Sequence, residues 1–164
     1  MLLDKVKIKK TDIYSLFLIL LTFLIDRASK YYVIELIRNN EKEIYINDFL
    51  NITLNWNMGV GFGLFSMTAG IVYHIISALI LLIIIYLIYL MVKSNGALKL
   101  IFALIIGGAA GNLFDRLTYF AVPDFIDLHF NSYHWFTFNF ADIFITIGIL
   151  FMIIYEIFFN KNAQ

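Results

Sequence analysis

The chain has no cysteine and a single proline, Pro123. Without cysteine there are no disulfides, no thiolate metal sites and no cysteine nucleophile. Charge is also scarce. Asp, Glu, Lys and Arg make up 15% of the 164 residues, and they cancel to a net charge of zero. No basic stripe with interleaved aromatics stands out, so a nucleic-acid partner is not expected. What fills the space is apolar: 62% of residues are hydrophobic and the mean hydropathy is +0.84. A soluble domain carries roughly 45–50% apolar residues. The surplus of Ile, Leu and Phe points to the bilayer as solvent.

Hydrophobic runs divide the chain into four expected spans, at about 12–36, 68–92, 98–118 and 137–158, within one membrane domain covering 1–164. About 20 residues at 1.5 Å each cross the hydrocarbon layer. The first run follows Lys5, Lys7, Lys9 and Lys10, as a signal peptide would. It ends in Asp26-Arg27-Ala28-Ser29-Lys30 without a small-x-small site, so it reads as an uncleaved span. Asp26 and Lys30 are four apart and share a helix face. The third run contains Gly107-Gly108-Ala109-Ala110-Gly111, a surface that lets helices approach closely in lipid. Asn112, Asp115 and Arg116 follow it on one face.

Two outer segments are expected, at about 38–66 and 119–136. In the first, Ile44, Ile46, Leu50, Ile52, Leu54 and Trp56 alternate with other residues around Asn47-Asp48. Period-two patterning with a turn signal predicts two short strands. Asn57-Met58-Gly59-Val60-Gly61-Phe62-Gly63 then allows close backbone approach to a ligand or membrane. The second segment reads as a loop rich in Phe, Tyr, His and Trp135. The fold class is therefore all-α integral membrane, with four transmembrane helices and a small β element in the first outer loop. Lys5, Lys7, Lys9, Lys10, Lys93, Lys99 and Lys161 fall at one side of an even number of spans. The positive-inside rule makes that side cytoplasmic and turns both long segments outward.

The sequence gathers around Val122-Pro123-Asp124-Phe125-Ile126-Asp127 and Phe138-Asn139-Phe140-Ala141-Asp142. A carboxylate beside a membrane-grade run is costly, which makes it a functional candidate. Asp124 and Asp142 are the expected catalytic pair. Two close aspartates share one proton, so one can activate water while its partner polarises a carbonyl. Competing readings are a metal site at Asp124, Asp127, His129 and His134, a serine enzyme using Ser66, Ser77 or Ser132, and a small proton-linked carrier. The histidines lack HExxH-like helical spacing, and no serine lies in a nucleophile elbow.

Asp26-x-x-x-Lys30, Asn57-x-Gly59, Gly108-x-x-Gly111-Asn112-x-x-Asp115-Arg116, Val122-x-Asp124-Phe125 and Phe138-Asn139-x-Ala141-Asp142 resemble, in order, the motifs of lipoprotein signal peptidase, the type II signal peptidase. The resemblance implies an aspartyl endopeptidase of the bacterial inner membrane. Such an enzyme removes the signal peptide from diacylglyceryl-modified prolipoproteins, before the lipidated cysteine, with no cofactor. It implies Asp124 and Asp142 as catalytic residues, and Asn57, Gly59, Asn112, Arg116 and Asn139 as substrate-binding or supporting ones. Asp26, Lys30 and Asp115 match positions taken as structural. Segment 44–56 would be the family's outer β-cradle. Prolipoproteins and membrane lipids are the implied partners, and globomycin, a cyclic peptide, the implied inhibitor. Three positions depart from the family pattern: Phe120 stands where glycine is frequent, Phe136 where proline is, and Pro123 where an aliphatic residue is usual.

Overall fold

The computed structural model describes residues 8–39, 43–59, 70–131 and 133–159. Four helices and four strands follow in the order α1 (Lys10–Arg38), β1 (Glu43–Asn47), β2 (Leu50–Asn57), α2 (Ile71–Lys93), α3 (Gly96–Thr118), β3 (Val122–Phe130), β4 (Tyr133–Phe138) and α4 (Phe140–Phe159). Among the described residues, three helical stretches are long and apolar enough to cross a membrane: Tyr73–Lys93, Gly96–Thr118 and Phe140–Phe159. Helix α1 has 29 residues, about 43 Å at 1.5 Å each, but it carries Asp26, Arg27 and Lys30 in its second half. Side chains such as Leu82, Ile83 and Ile85 on α2, and Leu150, Phe151 and Phe158 on α4, are exposed. So continuous an apolar surface is stable only against lipid or another apolar partner.

Helix α3 is the centre of the bundle and packs against α1, α2 and α4. Its small residues explain why. A Cβ on Gly108 would lie 2.7 Å from the Ala141 carbonyl oxygen of α4, and one on Gly111 would run into the Asp26 carboxylate of α1. The glycine patch read from the sequence is therefore where both neighbours come nearest. Phe102, Ile106 and Leu113 of α3 bury against Ile84 of α2 and form the apolar core.

The strands make one antiparallel sheet in the order β1-β2-β3-β4. The expected β1–β2 hairpin is present, with its turn at Asp48-Phe49. The second outer segment is not the aromatic loop its composition suggested. It is a second hairpin, β3–β4, so the sheet draws on both outer segments. Two features hid it. Pro123 weighs against an internal strand, and the β3–β4 register shifts between Leu128 and His129, which breaks the alternation. Pro123 is tolerated because β4 ends opposite Ile126, so no β4 residue lies beside Pro123 to need its missing N–H. The fourth helix starts at Phe140 rather than 137; residues 137 and 138 end β4. Of the glycine-rich stretch, Val60, Gly61, Phe62 and Gly63 lie outside the described residues.

Phe120 links α3 to β3 with φ 55°. In this left-handed region a Cβ crowds the following carbonyl, at roughly 1–2 kcal/mol, and glycine escapes the cost. The family's frequent glycine thus matches a backbone requirement, and here phenylalanine bears the strain. Its ring meets His74 edge-on at 6.0 Å between centroids. Comparing Phe120→Gly with Phe120→Ala isolates the backbone effect, because both lose the ring. Thermal melts in detergent should show the glycine variant more stable than the alanine variant by about 1 kcal/mol.

Candidate active site

Asp124 lies on β3 and is 2% exposed. One of its oxygens accepts a hydrogen bond from Asn57 Nδ2 at 2.9 Å, the other from Asn139 Nδ2 at 2.6 Å. Asp142 sits in the first turn of α4 and also accepts at both oxygens, from Asn112 Nδ2 at 2.8 Å and from the Asn139 backbone N–H at 3.2 Å. Asn139 returns a bond: its Oδ1 accepts the Asp142 N–H at 3.1 Å. This is a reciprocal cap, with Asn139 as N-cap and Asp142 three residues on. The sequence placed Asn139 inside the helix; it stands just outside, and that position lets it touch both carboxylates.

Each asparagine is oriented by a donor that cannot reverse. The oxygen of Asn57 accepts the Gly59 N–H at 2.9 Å, that of Asn139 the Asp142 N–H, and that of Asn112 the Lys30 ammonium at 2.9 Å. An amide whose oxygen faces an obligate donor must present its NH₂ on the other side. In all three cases that side is an aspartate oxygen.

Below Asn112, four charges cluster: Asp26, Lys30 and Asp115 are buried and Arg27 is partly buried. Lys30 Nζ bonds Asp26 at 2.9 Å and Asp115 at 2.7 Å. Arg27 reaches Asp26 at 3.1 Å and Asp115 at 2.6 Å, and its guanidinium lies over the Phe114 ring. Asp26 Oδ1 also accepts the Ala141 N–H at 3.0 Å, which ties α1 to the start of α4. Arg27 was passed over in the sequence; its place beside Asp26 was the available signal. Arg116 donates to the Gly59 carbonyl at 3.1 Å and to the Asn112 carbonyl at 3.3 Å. It holds the chain after β2 against α3.

Both carboxylates line a cavity of about 420 Å³ between α2, α3 and α4. Asn57, Asn112 and Arg116 share its polar end, and Ile80, Ile84, Ile105 and Ile149 line the rest. Asp142 also borders a second, apolar hollow of about 500 Å³ beside Phe136 and Phe138. The four residues of the metal reading do not converge. Asp124 faces this cavity, whereas Asp127 bonds His134 at 2.6 Å and His129 stacks on His134. Residues three apart on a strand point to opposite faces. Among the described residues no group of three or more His, Cys, Asp or Glu is placed to hold a metal ion. Ser77 donates its hydroxyl to the Tyr73 carbonyl within α2; Ser66 and Ser132 lie outside the described residues.

Burial, and then the nearby charge of Asp142, push the Asp124 carboxyl up from 3.8 to about 6, against the opposing pull of its two amide donors. A raised carboxyl binds more protons folded than unfolded. Its neutral form therefore contributes stability that is fully present below about pH 4 and is lost as pH rises through about 6.

The family model described as "Signal peptidase (SPase) II" matches residues 18–159. A lipoprotein signal peptidase of Pelagibacter ubique is 48% identical over 161 residues, covering 98% of this chain and 96% of the relative. One of Thermodesulfovibrio yellowstonii is 42% identical over 144 residues, covering 88% and 92%. Two solved structures, each described as a bacterial membrane enzyme, superpose with TM-scores of 0.77 and 0.72, both at 28% identity. They cover 92% of this chain and 92% and 94% of their own.

The titration of Asp124 can be read through stability. Asp124→Asn is neutral at every pH, so it should melt like wild type near pH 4 and above it at pH 7. The gain is at most about 3 kcal/mol at 1.36 per pKa unit, less whatever the lost acceptor costs. Melting curves between pH 4 and 8 check this; a gap largest at low pH would give it the wrong sign.

Proposed function

The chain belongs to the signal peptidase II family, and on that footing we propose that it is an aspartyl endopeptidase of the bacterial inner membrane. It cleaves signal peptides from diacylglyceryl-modified prolipoproteins just before the lipidated cysteine. The observation that carries the catalytic type is the shared ligation of two carboxylates, the buried Asp124 and the partly buried Asp142, by one residue, Asn139. Asn57, Gly59, Asn112 and Arg116 support the site. Asp26, Lys30 and Asp115 tie the helices beneath it.

The carboxylates hold one proton between them. The ionised member takes a proton from water, and the water oxygen attacks the peptide carbonyl carbon. The protonated member gives its proton to the carbonyl oxygen, which yields a tetrahedral diol. The first carboxyl then passes its proton to the amide nitrogen and the C–N bond breaks. A diol hydroxyl returns a proton to the second carboxylate as the new carboxylic acid forms. No covalent intermediate and no cofactor enter. Amide donors aimed at both carboxylates keep them in place without reorganisation during the reaction.

The shape of the site suits this substrate class. A prolipoprotein has two apolar parts, its signal helix and its acyl chains, and two apolar hollows meet at Asp142. All four helices span the membrane in one domain, α1 included, because its charges are neutralised against one another. Lys9 bonds Asn95, and Lys99 pairs with Asp12. The start of α1 and the α2–α3 turn therefore share one lysine-rich end, away from the sheet. By the positive-inside rule that end, with both termini, is cytoplasmic, and the carboxylates face outward. Membrane lipids border the apolar helices, and a globomycin-type cyclic peptide is expected to inhibit by occupying the cavity.

Cleavage of a diacylglyceryl-modified precursor by purified protein in detergent, with no ion gradient, tests the reading and separates it from a proton-linked carrier. Wild type should release the signal peptide. Folded Asp124→Asn and Asp142→Asn should each be slower by about 10²–10⁴-fold, the range for losing acid–base catalysis. Near-normal activity in either variant would end the two-aspartate mechanism.

A further inference from the structure

We propose that Lys30 is a positioning residue of the reaction. Acting through the Asn112 amide, it fixes Asp142 as the anionic member of the pair, the base, and leaves the shared proton on Asp124. This rests on the peptidase reading above and assigns roles within it.

Lys30 is 1% exposed, and its ammonium bonds Asp26, Asn112 and Asp115. Its ammonium has three donors and no acceptor. Two of them neutralise Asp26 and Asp115, and the third holds Asn112 Oδ1 at 2.9 Å. That bond dictates the amide's orientation. Asn112 must turn its NH₂ toward Asp142 Oδ1, where it donates at 2.8 Å. An amide polarised by a buried cation is a stronger donor than a free one. Hydrogen bonding of this kind favours the ionised carboxylate.

The two aspartates differ in what stands behind their donors. Asp142 has the cation-backed amide, the Asn139 N–H, and the positive end of the α4 dipole, since it lies in the helix's first turn. Asp124 has two side-chain amides, one pinned by the Gly59 N–H and one by the Asp142 N–H, with no cation behind either. The charged groups around this end of α4 are Asp26, Arg27 and Lys30 from α1, Asp115 and Arg116 from α3, and Asp124 from β3. The four ions Asp26, Arg27, Lys30 and Asp115 sum to zero. The Asn112 amide, held by Lys30 on one side and donating to Asp142 on the other, is what ties this cluster to one member of the pair. The same orientation would place the base at the junction of the two hollows, with the acid at the sheet.

The test follows the aspartate ¹³C carboxyl resonances against pH in the full-length protein in detergent, with Asp124→Asn and Asp142→Asn used to assign the signals. In wild type, Asp142 should be ionised at a pH where Asp124 is half protonated. Two variants break the relay. Asn112→Leu removes the bridge and leaves Lys30 with its two carboxylates. Lys30→Gln with Asp115→Asn removes the cation while the cluster stays neutral. In each, protonation of Asp142 should move up by about one unit, tenfold in its proton equilibrium, so that the proton is shared. Asp142 protonating before Asp124 in wild type would overturn the proposal. So would an unchanged order in either variant that still melts cooperatively; if the double variant does not fold, Asn112→Leu decides. Cleavage of the lipidated precursor by wild type is run alongside. Its failure would sink the peptidase reading while the titration still reports on the relay.

Discussion

Four clustered charges, three of them buried, hold this molecule in the shape its site requires. Asp26, Arg27 and Lys30 of α1 and Asp115 of α3 form a closed, neutral cluster inside the helix bundle. Removing one partner from such a set strands another charge in a low dielectric, typically at 3–5 kcal/mol. The cluster is therefore a weak source of net stability but a strong source of specificity. It fixes the register of α1 against α3, and through the Asp26 bond to the Ala141 N–H it fixes where α4 begins. The glycines at 108 and 111 are the other half of that constraint, because the backbones must come this close for the charges to meet.

From that anchor the site is assembled outward by hydrogen bonds of fixed direction. Lys30 orients Asn112, the start of α4 orients Asn139, and the Gly59 N–H orients Asn57. Each amide then aims at a carboxylate. The sheet brings Asp124 in from β3 and Asn57 from the end of β2, whose partner is Val122. Arg116 locks the chain after β2 onto α3. A carboxylate pair lining a largely apolar cavity is the outcome. Burial is the largest influence on the Asp124 carboxyl, which it raises.

Much of this could be read from the chain alone, and the reason is cost. Asp26, Lys30, Asp115, Arg116, Asp124 and Asp142 stand out because charge beside membrane-grade sequence is expensive, and all six are buried here or, for Asp142, line the cavity. The spacing of Asn112, Asp115 and Arg116 placed them on one face correctly. The first hairpin was visible from period-two alternation. The second was not, because Pro123 and the irregular register near His129 erased that alternation and aromatic composition imitated a loop. Asn139 was seen as a site residue, but its capping role depends on where α4 starts, which periodicity locates only within a few residues. Arg27 was hidden by its neighbours. The left-handed turn at Phe120 shows the reverse case, in which a departure from the family pattern became intelligible only once the backbone angle was known.

The central claim is that water, activated between two carboxylates, attacks the peptide directly. A single turnover in H₂¹⁸O with excess enzyme and a diacylglyceryl-modified precursor tests it most directly, with both products analysed by mass spectrometry. Direct attack puts one ¹⁸O into the new carboxylate of the released signal peptide and leaves the enzyme unlabelled. Heavy oxygen in Asp124 or Asp142, or a released peptide without label, would mean that an aspartate had bonded to the substrate, and the mechanism would be wrong.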